Sequence, residues 1–211
     1  MTMPPRMVPL LEQDDFAHRR LADRLAGPVV DSGNGTDVAV GPLTDDEYLW
    51  EPVAARWSVR RHADGPGARA TLLVGNGDWG RDATPAPHPV PPPFTTPAWR
   101  LSHLTELLAL RTDHTDGTRS LTRDDLPVAG DAATAIAAFA AAADAWRAVP
   151  ASTDEAALDT VGHSAYPYGS DPEDRFAEVM WWVNQELLHH GAETALLRDL
   201  RLHRGPAQPA A

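Results

Sequence analysis

Cysteine is absent from all 211 residues. That absence excludes disulfides, zinc–cysteine knuckles and a protein thiol as nucleophile. Any metal must therefore be held by nitrogen and oxygen, and any thiol chemistry needs a thiol brought by a substrate. Long apolar runs are also lacking, since no stretch approaches the roughly 18–20 apolar residues of a membrane span. Positive charge is scarce: Lys and Arg total 18 against 30 Asp and Glu, a formal net charge of -12. An acidic surface repels phosphate, which argues against nucleic acid and anionic membrane as partners. The start, Met1-Thr2-Met3-Pro4-Pro5-Arg6, lacks the charged region, apolar core and cleavage site of a secretory signal. The expected location is cytoplasmic.

Hydrophobic residues make up 43% of the chain, a normal globular fraction. The length suits one domain over residues 1–211. Residues 9–26 read as a first helix, with Leu10, Leu11, Leu21 and Leu25 at helical spacing and Gly27-Pro28 as the stop. A Gly-, Asp- and Ser-rich loop over 28–43 follows. Thr44-Asp45-Asp46-Glu47 has the spacing of a capping box, so a helix starts there and must be short before Pro52. Trp57-Ser58-Val59 reads as a short strand, and Ala70 to Val74 before Gly75-Asn76-Gly77 as one arm of a hairpin. Residues 84–97 carry seven prolines, which excludes regular hydrogen-bonded structure.

The next helix opens on Thr96 as cap and Pro97 at the first helical position, and runs to about Arg111. Asp131 opens an alanine-rich third helix to Val149, closed by Pro150. Asp171-Pro172-Glu173-Asp174 starts the last, which runs to about Arg204; the tail 205–211 is expected to fray. The fold class is all-α: a four-helix bundle, up-down-down-up or related, with a long irregular, partly β-hairpin insertion between the first and second long helices. Trp181, Trp182 and Leu188 leave apolar surface on the last helix, which points to a homodimer.

The nine histidines are the residues that carry chemistry here. On the last helix, steps of three and four connect Val179, Val183, Glu186, His190, Thr194 and Leu197. This stripe begins and ends apolar and so faces the core, yet a carboxylate and an imidazole sit four apart in its middle. A buried carboxylate needs a cationic partner. A metal shared between Glu186 and His190 is one; a buried hydrogen-bonded pair, or a solvated face, is the plainer alternative. His189 points about 100° away. A third ligand must come from another helix. His103 is the first candidate, in the stripe Trp99, His103, Leu107, Leu110, although a lone core histidine is the commoner role; His18, between Asp14 and Leu21, is the reserve. His62 and His88 lie in loops, His114 and His203 near helix ends where exposure is expected, and His163 in the 150–171 loop.

At these residues the sequence resembles the DinB-like family of four-helix-bundle metal proteins, which includes the mycothiol-dependent maleylpyruvate isomerases and the bacillithiol transferases. The matching pieces are Trp99-Arg100-Leu101-Ser102-His103 and Asn184 through Glu193. Leu43-Thr44-Asp45-Asp46-Glu47-Tyr48-Leu49-Trp50-Glu51-Pro52, with Trp57-Ser58-Val59-Arg60, is similar to a branch common in actinobacteria. The resemblance implies three metal ligands, which fall on His103, Glu186 and His190. Many members have His at the position of Glu186, and the usual Arg-Gly-Gln after the paired histidines is Gly191-Ala192-Glu193 here. A His, Glu, His set is similar to that of the mycothiol-dependent isomerases.

Two nitrogens and a carboxylate leave open positions on a divalent ion, zinc first and nickel or manganese next, as in catalytic sites. The expected function is a metal-dependent enzyme that uses an external low-molecular-weight thiol, of mycothiol type, for S-transfer or isomerisation of a small electrophile. Its partners are then that thiol and a small-molecule substrate. His189, Glu193 or His18 would serve as general base. The alternatives are a metal-assisted hydrolase and a non-catalytic, stress-associated or ligand-binding bundle.

Overall fold

The structure is a computed structural model that describes residues 4–27, 41–165 and 173–203. Four long helices dominate: α1 (Met7–Ala26), α3 (Pro97–Asp116), α4 (Ala132–Ala151) and α6 (Phe176–His203). Two single-turn helices, α2 (Asp45–Tyr48) and α5 (Glu155–Leu158), sit between them. Helix α1 ends where Gly27 turns left-handed at φ 76 and returns its N–H to the Asp23 carbonyl. Thr44 and Glu47 form the reciprocal capping box at α2. Thr96 and Asp131 accept from Trp99 and Thr134 N–H and so cap α3 and α4.

Side-chain bonds fix the directions of the long helices. Asn184 reaches the Leu10 carbonyl and Arg24 reaches the Ala195 carbonyl, so α1 and α6 run parallel. Arg147 pairs with Asp15 while Phe139 meets His18, so α4 opposes α1. His103 meets Glu186 and Arg111 lies over Trp182, so α3 opposes α6. Helices α3 and α4 are therefore parallel neighbours, and the topology is up-down-down-up. A 20-residue helix is about 30 Å long, and the connection after Gly117 must return along that length before α4 begins. Leu11, Leu21, Leu104, Leu108, Phe139, Trp146, Val183 and Leu187 fill the centre.

The insertion before α3 holds a three-stranded antiparallel sheet in the order β1-β3-β2: β1 (Val59–Arg61), β2 (Leu72–Val74) and β3 (Trp79–Ala83). Val59 stands opposite Arg81, and Leu73 opposite Asp82. The sheet rests on the start of α3, where Trp99 Nε1 donates to the Asp82 carbonyl at 2.8 Å and Thr96 Oγ1 donates to Ser58 Oγ at 2.9 Å. Asp82, fully buried, also accepts from Ser58 N–H, Gly67 N–H and Arg60.

Several sequence expectations are corrected. The first strand lies at 59–61 rather than 57–59; Trp57 makes only an isolated bridge to Thr95. Strands β2 and β3 are the two arms of the expected hairpin, while the pairing of β1 with β3 and the helix α5 had no counterpart in the reading of the sequence. Helix α3 continues to Asp116, so His114 is buried and meets the Leu121 carbonyl at 2.9 Å instead of being exposed. Helix α4 extends through Pro150 to Ala151. The start proposed at Asp171-Pro172 and the end at Arg204 lie outside the described residues. By length and mean hydropathy of 1.2, α4 qualifies as long and apolar enough to cross a membrane, contrary to the reading that no stretch does. Its Trp146 is nevertheless fully buried and its Arg147 is ion-paired with Asp15. Of the three residues expected to leave apolar surface, only Trp181 is exposed; Trp182 and Leu188 pack against the core.

Candidate metal centre

Antiparallel packing of α3 on α6 brings three of the singled-out side chains to one point. His103 Nε2 lies 3.4 Å from Glu186 Oε2, and His190 Nε2 lies 3.3 Å from the same oxygen. One ligand atom from each of the three can be chosen so that all lie within 4.8 Å of one another. The i, i+4 spacing on α6 stacks Glu186 under His190, and α3 delivers His103 from across the interface. Ligand atoms on a tetrahedral zinc with bonds of about 2.0–2.1 Å stand about 3.3 Å apart. The two contacts to Glu186 have that length, and the donor set of two imidazoles and a carboxylate suits zinc or a similar divalent ion.

Charge and hydrogen bonding support the same reading. His190 Nδ1 lies 2.8 Å from Glu193 Oε2 and 3.3 Å from Arg100 Nη1. An arginine can only donate, so the two contacts ask opposite roles of Nδ1, and the shorter one, to the carboxylate, favours an Nδ1–H donated to Glu193. In a neutral imidazole that leaves the Nε2 lone pair facing Glu186 Oε2, acceptor against acceptor. A proton or a cation must stand between them. Hydrogen bonds with His103 and then His190 hold the Glu186 carboxyl well below the usual carboxylate range, against the opposing effect of burial. Burial pushes the His103 imidazole down, opposed by Glu186 and reinforced by Arg81, which favours the neutral form a metal requires.

Arg100 is the site residue whose part the sequence did not disclose. It ion-pairs with Glu193 Oε2, the same oxygen that meets His190, and lies 3.3 Å from His190 Nδ1. Burial lowers its guanidinium to about 10. Two signals in the sequence bear on it: an arginine one turn before His103 on an otherwise leucine-rich helix, and Glu193 three residues beyond His190. Trp99 stacks on His103 with ring centroids 5.1 Å apart and an angle of 22°. His103 has less polar support than His190, because its Nδ1 is buried with no hydrogen-bond partner among the described residues.

The candidate bases fall in different places. His189 is exposed, stacks on His190 and lies 3.2 Å from Glu193 Oε1, so His189, His190 and Glu193 form a second convergent group on the surface side. His18 instead sets its ring edge-on to Phe139 on α4, at 5.5 Å, and belongs to neither convergent group. His163 packs on Phe176 at the other end of α3, beside Thr115 and Asp116. His62 sits in a 3-10 turn after β1, and His203 is exposed.

Fold and site together define a helical bundle of up-down-down-up topology with a His/Glu cluster between its second and fourth long helices. The chain matches the family model of the DinB superfamily over residues 31–194, and it belongs to that superfamily. The matched span begins after α1 and contains His103, Glu186, His190 and Glu193. No match was found among curated proteins or among solved structures.

Proposed function

We propose that the chain is a metal-dependent enzyme that holds a divalent ion with His103, Glu186 and His190 and acts on a small electrophile with an external low-molecular-weight thiol. The observation that carries this reading is the pair of contacts at 3.3 and 3.4 Å from Glu186 Oε2 to two imidazole Nε2 atoms, one of them oriented by Glu193. A bound divalent ion supplies the Lewis acidity that stabilises a thiolate at neutral pH. The chain's own contribution is orientation and charge. Glu186 brings one negative charge, Glu193 fixes the His190 tautomer, and Arg100 holds Glu193 in place while keeping one guanidinium beside the cluster. Exposed His189, held by Glu193 Oε1, is positioned to take the proton that the thiol gives up. Glu193 is engaged by three partners and acts as a positioning residue rather than as the base.

The absence of cysteine agrees with a thiol supplied from outside, and the resemblance to mycothiol-dependent isomerases makes mycothiol the first thiol to try. The expected assembly is a homodimer, with exposed Trp181 as the residue to probe. The test is elemental analysis of untagged protein, wild type and His103→Ala, followed by turnover of a chloronitrobenzene or maleylpyruvate with and without mycothiol. Metal bound at about one per chain in the wild type alone, with turnover only when thiol is added, is the expected result. Metal-dependent turnover without thiol that releases hydrolysis products makes the chain a hydrolase, and a wild type that binds no zinc, nickel or manganese overturns the reading.

A further inference from the structure

Helix α3 presents a second face to a different space. Ser102, Thr105 and Ala109 line a cavity of about 340 Å3 between α3 and α4. At 100° per residue this face lies roughly 120° around the helix from His103. The opposite wall is Ala138 and Ala141 of α4, and the crossover connection closes the side with Leu126 and Val128. Small residues facing one another normally let two helices close to contact. Here the crossover connection wedges in beside them, and room for about ten waters is left against apolar walls. That volume is at the lower end of small-molecule pockets.

Two polar features break the apolar wall. Thr105, Thr112 and Thr115 on α3 each return their hydroxyl to the carbonyl four residues back. Ser102, which lines the cavity, has no such bond among the described residues, so its hydroxyl is left to the cavity wall. At one end Glu106 accepts from Arg81 at 2.5 Å and from Arg123 Nε at 3.0 Å, so one carboxylate is shared by two guanidiniums. One positive charge is left over. Arg123 lines the cavity with a side chain 36% exposed, and the described residues give its two terminal nitrogens no partner.

We infer that this cavity is a binding site for a small carboxylate with an aromatic or branched aliphatic body, the body lying on the alanines of α4 and the carboxylate on Arg123. The Glu106–Arg123 bond aims the guanidinium fork, whose two terminal NH2 groups, with four N–H between them, suit a carboxylate. Ser102 supplies one further hydrogen bond inside. This site is separate from the His/Glu cluster and stands whether or not that cluster binds metal.

The test titrates the full chain calorimetrically with 2-naphthoate and with uncharged 2-naphthol. The expected result is saturable binding of 2-naphthoate, at least about fivefold tighter than 2-naphthol. Ala138→Phe and, separately, Ala141→Leu fill the space and lower the affinity at least about tenfold without lowering the melting temperature. Arg123→Gln removes the preference for the anion and leaves 2-naphthol unchanged, whereas Glu186→Gln alters neither. Alanine-methyl NMR of the wild type provides a readout independent of the variants, with shifts at Ala138 and Ala141 and none at Ala192 and Ala195. No heat at millimolar 2-naphthoate, equal binding of the two probes, methyl shifts confined to α6, or full affinity in both filled variants each overturns the inference.

Discussion

His103 and Glu186 lie 83 positions apart in the chain, yet His103 Nε2 stands 3.4 Å from Glu186 Oε2. That closeness rests on the antiparallel register of α3 on α6, in which Arg100 also reaches Glu193 and Arg111 reaches Trp182. The register is set by packing, so the carboxylate can be neutralised without moving the helices. Glu186→Gln is expected to keep the melting temperature within a few degrees and to weaken zinc binding at least about tenfold, through lost charge and a poorer ligand. Calorimetric titration of apo-protein with zinc measures it. Unchanged affinity would remove Glu186 from the ligand set.

Glu193 acts on the same cluster through another residue. Its Oε2 accepts from His190 Nδ1 at 2.8 Å and is held by Arg100. Loss of such a supporting carboxylate typically costs 10–100-fold in metal affinity. Glu193→Ala is expected to fall in that range, and Glu193→Gln, which keeps an acceptor, to recover part of it. Nitrogen-15 NMR of the imidazoles gives the discriminating readout, since His190 should carry its proton on Nδ1 in the wild type and mix tautomers in Glu193→Ala. A purely structural role for Glu193 would lower stability and leave the tautomer alone.

Most of the long helices, and the pairing of Glu186 with His190 on one face, were legible in the sequence because their signals are local, whereas the place of His103 beside them came only from the family resemblance. Thr96-Pro97, Asp131 and the Thr44/Glu47 box each satisfy amides within three residues, and Glu186 and His190 share a stripe of period 3.6. The bounds of strand β3, the hairpin's second arm, and its central place in the sheet were not legible. Its Gly80, Arg81 and Asp82 are all buried, which gives no alternation, and the two charges are buried only because Glu106 and Arg60 come from elsewhere in the chain. The end of α3 was hidden for a similar reason. Thr-Asp-His-Thr reads as a polar exit, but Asp113 accepts from Ser120 and Leu121 N–H and folds the next segment back over His114. The link between Arg100 and Glu193 depends on helix register alone.

Arg198 illustrates how much a single buried cation can organise. Only 1% exposed, it donates to the carbonyls of Arg24 and Gly41 and to Glu47, and so joins α6 to the end of α1 and to the α2 capping box. Arg198→Ala removes that partner from Glu47 and leaves two carbonyls short of a donor. Breaking a buried pair of this kind costs about 3–5 kcal/mol. Urea denaturation should show a loss of that order, with Arg198→Lys recovering only a small part because one ammonium cannot span the fork. A loss under about 1 kcal/mol would mean that water replaces the guanidinium.

Asp14 gives a pH dependence with a definite sign. Its side chain is buried on α1, Oδ1 has no hydrogen-bond partner among the described residues, and burial raises its carboxyl to about 6 from an ordinary 3.8, against the pull of Arg147. A group raised in the folded state binds its proton more tightly there than in the unfolded chain. Its contribution to stability is therefore fully present below about pH 4 and is lost as pH rises through about 6. Two pKa units correspond to about 3 kcal/mol. Asp14→Asn cannot ionise, so relative to wild type it should gain on the order of 1–3 kcal/mol at pH 8 and close to nothing at pH 4. Denaturant unfolding of both proteins at the two pH values measures the difference. An equal gain at both would trace the effect to packing, and a loss at pH 8 would show that ionised Asp14 has a favourable partner in the folded chain.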